Sequence, residues 1–410
     1  MSDSLFSGPN DGFSSTNNHA TYLFPPLSLL PVEVPPTEKI DAACQKDYTK
    51  LLKALKQLKI SITGQITYTH SHAITRFKVR PTTPKDAAIL LKNEAEIGGL
   101  LSRIGVRIYI CEERDKTIIV EVPQIHLHTL HLREVLESDA FINATGKLNA
   151  VIGADPTGSN KILDITKMPH MLIGGTTGCG KSMRIHNMIL SLLYSKTPDE
   201  VRLVLIDPKK VEFFSYRNIP HLLAPVVTSP KKAVAALHAT VEIMKTRFNL
   251  FEKMGVSNID AYNQQITDEK LPYIVVVIDE FAELMFTDSE KVENDIAILT
   301  QKARATGIHL IFATQYLRES VLPDTITINI PTRIAMATFA PLPANYVFGF
   351  RGSEKLNLLG DMLLLEADCF APTRVQGCFV ALKDVDNVCE YIRTSNAPVS
   401  YDKVFMEMMG

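Results

Sequence analysis

Gly175-Thr176-Thr177-Gly178-Cys179-Gly180-Lys181-Ser182 fits G-x-x-x-x-G-K-[ST], the phosphate-binding P-loop. An apolar run, residues 171–173, precedes it and a helical pattern, residues 183–193, follows, as a strand–loop–helix requires. The glycines let backbone N–H groups curl around a phosphate without Cβ clashes. The helix N-terminus adds the positive end of its dipole. Gly175, Thr176, Thr177, Gly178, Cys179, Gly180, Lys181, Ser182 and Met183 are therefore the expected nucleotide cradle. Lys181 would reach the β- and γ-phosphates and the Ser182 hydroxyl would ligate Mg²⁺. A plain glycine turn opening a helix is the bland alternative. The expected cofactors are ATP and Mg²⁺.

Residues 273–280 (YIVVVIDE) read as a buried strand that delivers two carboxylates at its C-terminal end, where open α/β sheets bind ligands. Asp279 is placed on the metal and Glu280 as the base that polarises the attacking water. Such a pair is weak evidence alone but strong about a hundred residues after a phosphate loop. Residues 308–315 (IHLIFATQ) form a third strand, ending in Thr314 and Gln315, either of which could sense the γ-phosphate. Residues 201–206 end in Asp207-Pro208-Lys209-Lys210 at the same sheet edge, read as a nucleotide-adjacent or interface contact, with a solvated turn as the alternative.

The chain has 410 residues, 46% hydrophobic and 21% charged, with net charge −2. That is ordinary globular composition with no global basic footprint, so any polyanion must meet local patches. No apolar run is long enough to span a bilayer, and no signal peptide is visible. The six cysteines are scattered without C-x-x-C spacing, which suits a reducing cytoplasm. Cys179 lies at a helix N-terminus that could lower its pKa, but a tolerated small residue is the preferred reading.

Residues 1–39 read as a disordered, Pro-rich linker, with residues 14–18 (SSTNN) a disorder-like tract and docking of Leu27, Leu29 and Leu30 on a neighbour as the alternative. Residues 40–142 read as a smaller α+β subdomain, with helices over 47–58 and 84–104 and strands over 73–79, 106–110 and 117–122. Lysines 50, 53, 56 and 59 along the first helix are taken as a solvated face. Residues 143–394 alternate β-branched runs with helical patterns, giving an α/β, mainly parallel sheet flanked by helices. Further strands are expected at 332–337 and 374–380, and 395–410 as a tail.

The strand order (phosphate loop, Asp-ending, Asp-Glu, Thr-Gln) is that of RecA-like P-loop NTPase ring motors. These hydrolyse ATP between subunits with an arginine supplied in trans. Arg304 in QKARATG is the first candidate and Arg333 in IPTR the second, with a surface salt bridge as the alternative for either.

Together these strings resemble the motor region of the FtsK/SpoIIIE family of DNA translocases. The resemblance rests on residues 168–172 (MPHML), 174–182 (GGTTGCGKS), 206–209 (IDPK) and 219–223 (IPHLL). It continues through 273–285 (YIVVVIDEFAELM), 301–309 (QKARATGIH), 330–335 (IPTRIA) and 360–363 (GDML), and covers about residues 22–394. Residues 22–30 look like the family's linker box and 132–136 like the segment before its motor core. The resemblance implies a homohexameric ring that threads double-stranded DNA. It implies catalytic roles for Lys181, Glu280, Gln315 and, in trans, Arg304, with Ser182 and Asp279 on the metal.

Three departures are expected to matter. No membrane domain precedes the linker, and nothing after residue 394 is long enough for the family's winged-helix reader. The pore loop reads Ala313-Thr314-Gln315-Tyr316-Leu317 rather than Ala-Thr-Gln-Arg-Pro, leaving Arg318, Lys209 and Lys210 as candidate DNA contacts. The leading expectation is a cytoplasmic, ATP-driven double-stranded DNA translocase. Its rivals are the same fold moving a protein substrate, and an ATP-timed clamp or scaffold.

Overall fold

Apolar residues fill both faces of Ile308–Thr314, Tyr273–Ile278 and His170–Gly174, so these strands are stable only in the middle of a covered sheet. The computed structural model describes residues 22–33, 37–72, 74–110, 117–125, 129–267, 269–339 and 341–410. Residues 14–18, Pro35, Pro36, Ala73 and Cys111 lie outside these.

The larger sheet has nine strands among the described residues. In spatial order they are Asn160–Asp164, Asn149–Ala154, Thr373–Gly377, Asp361–Leu365, Thr332–Met336, His170–Gly174, Ile308–Thr314, Tyr273–Ile278 and Val201–Ile206. The last five pair in parallel. His170–Gly174 is clamped between neighbours, with Ile173 opposite both Ala313 and Ile334. All five C-terminal ends therefore open on one edge, and the functional residues gather there. The other four strands add an antiparallel half. Helices Lys181–Leu193, Pro230–Met254 and Phe281–Lys302 pack their apolar stripes on the sheet, and one contiguous core results.

The smaller unit is a four-stranded antiparallel sheet, in the order Thr67–His70, Ile74–Val79, Ile118–Pro123, Arg107–Ile110. It is backed by helices Thr37–Gln57, Pro84–Lys92 and Glu94–Leu101 around Leu51, Phe77, Leu90, Ile97 and Val120. The first helix starts ten residues before the expected 47, because Ile40, Ala43 and Cys44 extend its buried stripe. The expected 84–104 helix breaks at Asn93, whose N–H still closes the first helix on the Ile89 carbonyl.

Three boundaries need correction. Leu130, Leu132, Val135 and Leu136 belong to the larger core, and Leu132 N–H donates to the Phe379 carbonyl, so the division falls near residue 130 rather than 142. Residues 22–33, read as disordered linker, lie against the larger unit. Leu30 is buried in its core, and the Asn396 side chain accepts from Leu23 N–H at 2.7 Å and donates to Leu23 O at 3.1 Å. Prolines that fit a flexible spacer fit an extended strap equally well. The 395–410 tail carries helix Lys403–Met409, which packs on Pro230–Met254 and buries Phe405.

Candidate functional site: a phosphate loop facing four carboxylates

The loop after His170–Gly174 turns on Gly178 (φ 80°) and Gly180 (φ 98°), both in the left-handed region that side chains rarely adopt. Thr176 N–H donates to the Ala337 carbonyl at 2.9 Å, and the Cys179 carbonyl accepts from Gly360 N–H at 3.0 Å. The loop is thus fixed on both flanks, with helix Lys181–Leu193 starting beneath it. Cys179 is fully buried beside Met336, and burial pushes its thiol up, the opposite of what a reactive helix-terminal thiol requires.

Lys181, itself buried, donates from Nζ to the Asp279 backbone carbonyl at 2.8 Å and lies 3.9 Å from the carboxylates of both Asp279 and Glu280. Burial pushes the Asp279 carboxyl up to about 6, with Lys181 opposing and Glu212, Asp207 and Glu280 adding to the rise. Asp279 Oδ1 is buried without a hydrogen-bond partner. An orphaned, buried carboxylate oxygen 3.9 Å from Lys181 Nζ fits a hard divalent cation such as Mg²⁺. Among the described residues no group of three or more His, Cys, Asp or Glu side chains could hold a metal.

Glu280 is fully buried and fully engaged. Its Oε1 accepts from the Thr314 hydroxyl at 2.6 Å and from Gln315 N–H at 3.3 Å. Its Oε2 accepts from Lys209 Nζ at 2.9 Å. Burial pulls the Lys209 ammonium down, but Glu280, Asp279 and Glu283 together hold it above its ordinary value. Lys209, read both as part of a nucleotide-adjacent turn and as a candidate nucleic-acid contact, is here turned into the site and paired with Glu280. The Gln315 side-chain oxygen accepts from the Thr177 hydroxyl at 2.8 Å, so the third strand touches the phosphate loop directly.

The acid that sequence reasoning missed is Glu212. It follows Asp207, whose Oδ2 accepts from the backbone N–H groups of Glu212 and Phe213 at 2.9 and 3.1 Å. His186 and the Ser182 hydroxyl hold its carboxyl below the usual range against the opposing effect of burial. No motif marks it; its only signal is that it shares a loop with Lys209.

The arginines separate. Arg333 donates to the carbonyls of Ile330, Val347 and Thr327 at 3.0, 3.2 and 2.7 Å, which makes it a structural tie and removes it as a trans candidate. Arg304 is exposed in the turn before Ile308–Thr314. The strand separates it from its own phosphate loop by roughly 20 Å, so it cannot serve that loop in cis. Arg318 and Lys210 are exposed, Lys210 with a positive φ of 61°. Tyr316, beside Arg318, packs edge-on against exposed Phe286 with ring centres 5.7 Å apart.

The groups from the phosphate loop to Arg318 all lie within residues 131–319, which match the FtsK/SpoIIIE family. The chain carries an FtsK/SpoIIIE family domain. That match begins at His131, between Leu130 and Leu132 of the larger core. The chain is 37% identical over 405 residues to the DNA translocase FtsK of Clostridium acetobutylicum, covering 97% of this chain and 52% of that one. It is 39% identical over 383 residues to the DNA translocase SftA of Bacillus subtilis, covering 92% and 40%. It thus spans about half or less of these curated relatives. Among solved structures, the pCW3 conjugation coupling protein TcpA, a monomer with ATPγS, superposes with TM-score 0.59 at 21% identity, covering 85% of this chain and 99% of that one. The cytoplasmic domain of the type VII secretion ATPase EccC of Thermomonospora curvata gives 0.58 at 22%, covering 68% and 36%. The FtsK/SpoIIIE domain here has the α/β, RecA-like P-loop NTPase fold. Among the described residues, no helix is long and apolar enough to cross a membrane.

Proposed function

We propose that this chain is the motor of an ATP-driven double-stranded DNA translocase, working as a homohexameric ring. The observation that carries the reading is the convergence of Lys181, Asp279 and Glu280 at one sheet edge, in a chain whose relatives FtsK and SftA are named DNA translocases.

The backbone of residues 175–183 would cradle the ATP phosphates, with Lys181 released from the Asp279 carbonyl to meet them. Ser182 and Asp279 would hold Mg²⁺, whose charge neutralises the β- and γ-phosphate oxygens when bound. Glu280 accepts the proton of the attacking water, and Gln315, already touching Thr177, senses the phosphate. Arg304 serves the neighbouring subunit's site, stabilising charge on the transferring group. The loops bearing Arg318 and Lys210 face the DNA backbone.

The test is steady-state ATPase of the purified chain with and without long double-stranded DNA, beside Lys181→Ala and Glu280→Gln. Strong stimulation, lost in both variants, together with displacement of a bound roadblock, supports the reading. Robust turnover indifferent to DNA sinks it and favours a protein substrate. The aromatic pair Tyr316 and Phe286 beside the single cation Arg318 on the loop after Gln315 is the feature consistent with that rival.

A further inference from the structure

A general base needs a free lone pair aimed at water. A carboxylate offers about four acceptor positions. On Glu280 the Thr314 hydroxyl, Gln315 N–H and Lys209 Nζ occupy both oxygens, with a second Gln315 approach at 3.4 Å and Lys181 at 3.9 Å. In this state each oxygen of Glu280 already accepts from a protein donor, and Lys209 makes the shortest contact to Oε2.

These contacts differ in rigidity. Thr314 and Gln315 end a strand paired in register with the one that delivers Glu280, Phe312 opposite Ile278. Lys209 reaches in from a surface turn. The turn is pinned at its base, where Lys210 N–H donates to the Asp207 carbonyl at 3.1 Å and the Asp207 carboxylate accepts from Glu212 and Phe213. Its tip carries exposed Lys210 and Val211, and the Lys209 side chain keeps about a third of its surface in solvent. A change of Lys209 rotamers alone moves the ammonium from carboxylate to surface without unfolding the turn.

We propose that Lys209 is a positioning residue. It holds Glu280 in an unproductive pose and frees it when a phosphodiester backbone draws the ammonium to the surface beside Lys210. This rests on the DNA-motor reading for the identity of the polyanion, while the restraint on Glu280 rests on the ion pair itself. ATP hydrolysis is thereby tied to occupancy of the pore by one proton-holding contact. The alternative is a purely structural ion pair, whose loss would strand a buried carboxylate and impair both folding and turnover.

The experiment compares wild type with Lys209→Ala, Lys209→Met and Lys209→Arg in the full chain. The readouts are ATPase without DNA, ATPase at saturating double-stranded DNA, affinity for a fluorescent ATP analogue, and Tm. The Ala and Met variants are expected to raise DNA-free kcat by about tenfold. They bring it close to the DNA-saturated wild-type rate, abolish stimulation and leave analogue affinity unchanged. Lys209→Arg is expected to keep both restraint and stimulation. Should Lys209→Ala fold poorly, Lys209→Met preserves the packing volume and decides. A DNA-free rate that is unchanged or lowered in a folded variant overturns the proposal. If wild type ignores DNA altogether, the translocase reading fails, and the DNA-free rate of Lys209→Met still decides whether Glu280 is restrained.

Discussion

Arg374 and Glu121 form a buried ion pair between the larger and smaller units, with guanidinium Nη1 and carboxylate Oε2 3.3 Å apart. The same guanidinium binds both oxygens of Asp361 at 2.9 and 2.6 Å. Asp361 adjoins Gly360, whose N–H holds the Cys179 carbonyl of the phosphate loop. On the far side, Tyr109 O–H donates to Glu121 Oε1 at 2.6 Å.

Arg374→Met leaves buried Asp361 without its cation and Glu121 with only Arg107 at 3.6 Å, and is expected to cost about 3–5 kcal/mol, read by denaturant unfolding. Glu121→Gln keeps an acceptor for Tyr109 and should cost only about 1–2 kcal/mol. Equal losses for the two variants would mean that Arg374 is held chiefly by packing. A rise in ATP KM for Glu121→Gln would show that the strut reaches the phosphate loop.

Asp279 sets a pH dependence. Its carboxyl sits at about 6 in the fold, against an ordinary 3.8, because of burial. The folded state therefore binds this proton more tightly than the unfolded one, and the group's contribution to stability falls as pH rises from about 4 to 6. Asp279→Asn is expected to raise the stability of nucleotide-free protein above pH 6, by on the order of 1–3 kcal/mol. It should abolish Mg²⁺-dependent hydrolysis. In wild type, protons compete with the metal, so the Mg²⁺ concentration for half-maximal turnover should rise below pH 6. A pH-independent Mg²⁺ requirement contradicts the assignment.

Three histidines pull the other way. Burial lowers His170 to about 3, His221 to about 4 and His309 to about 4. Each is neutral in the fold and protonates near 6.5 when unfolded. Their contribution is complete above pH 6.5 and is lost as pH falls towards 4, at about 1.4 kcal/mol per pH unit for each residue. Three such groups outweigh the single opposite slope of Asp279, so net stability should decline from pH 6.5 to 5. His309→Gln should flatten that slope in a plot of unfolding free energy against pH.

Arg304→Ala is expected to bind nucleotide normally and lose hydrolysis by about 10³-fold. Mixing it with Glu280→Gln should restore activity, because mixed interfaces pair an intact Glu280 with an intact Arg304. No recovery on mixing would place Arg304 outside the reaction. Arg333→Ala should instead lower Tm, since three carbonyls lose their donor.

The parallel half of the sheet was legible because fully covered strands are continuous apolar runs, and Tyr273–Ile278 with its two acids is the clearest. In the antiparallel half only Thr373–Gly377 was. Asn149–Ala154 changes register between Val151 and Gly153, which breaks any period of two, and Asn160–Asp164 is mostly half-exposed. The phosphate loop was read residue by residue, since local backbone geometry dictates its glycines. The turn carrying Lys209 was placed beside the nucleotide, but its pairing with Glu280 was not legible, because that partner is 71 positions away and a lysine after a turn looks the same whether it faces solvent or a buried acid. Leu30 was misread because prolines around it mark extended chain without saying what that chain lies on.

Strand Ile308–Thr314 has no residue open to solvent, and its two ends carry different duties. Thr314 and Gln315 grip Glu280 and Thr177 at one end, while Arg304 stands exposed at the other. Were Arg304 lent to a neighbour, as proposed, the strand would be a stiff pushrod running from one reaction chamber to the next. A shift of an ångström at its catalytic end has no soft material to dissipate into. Firing order around a ring would then be set by seven packed residues rather than by any flexible messenger.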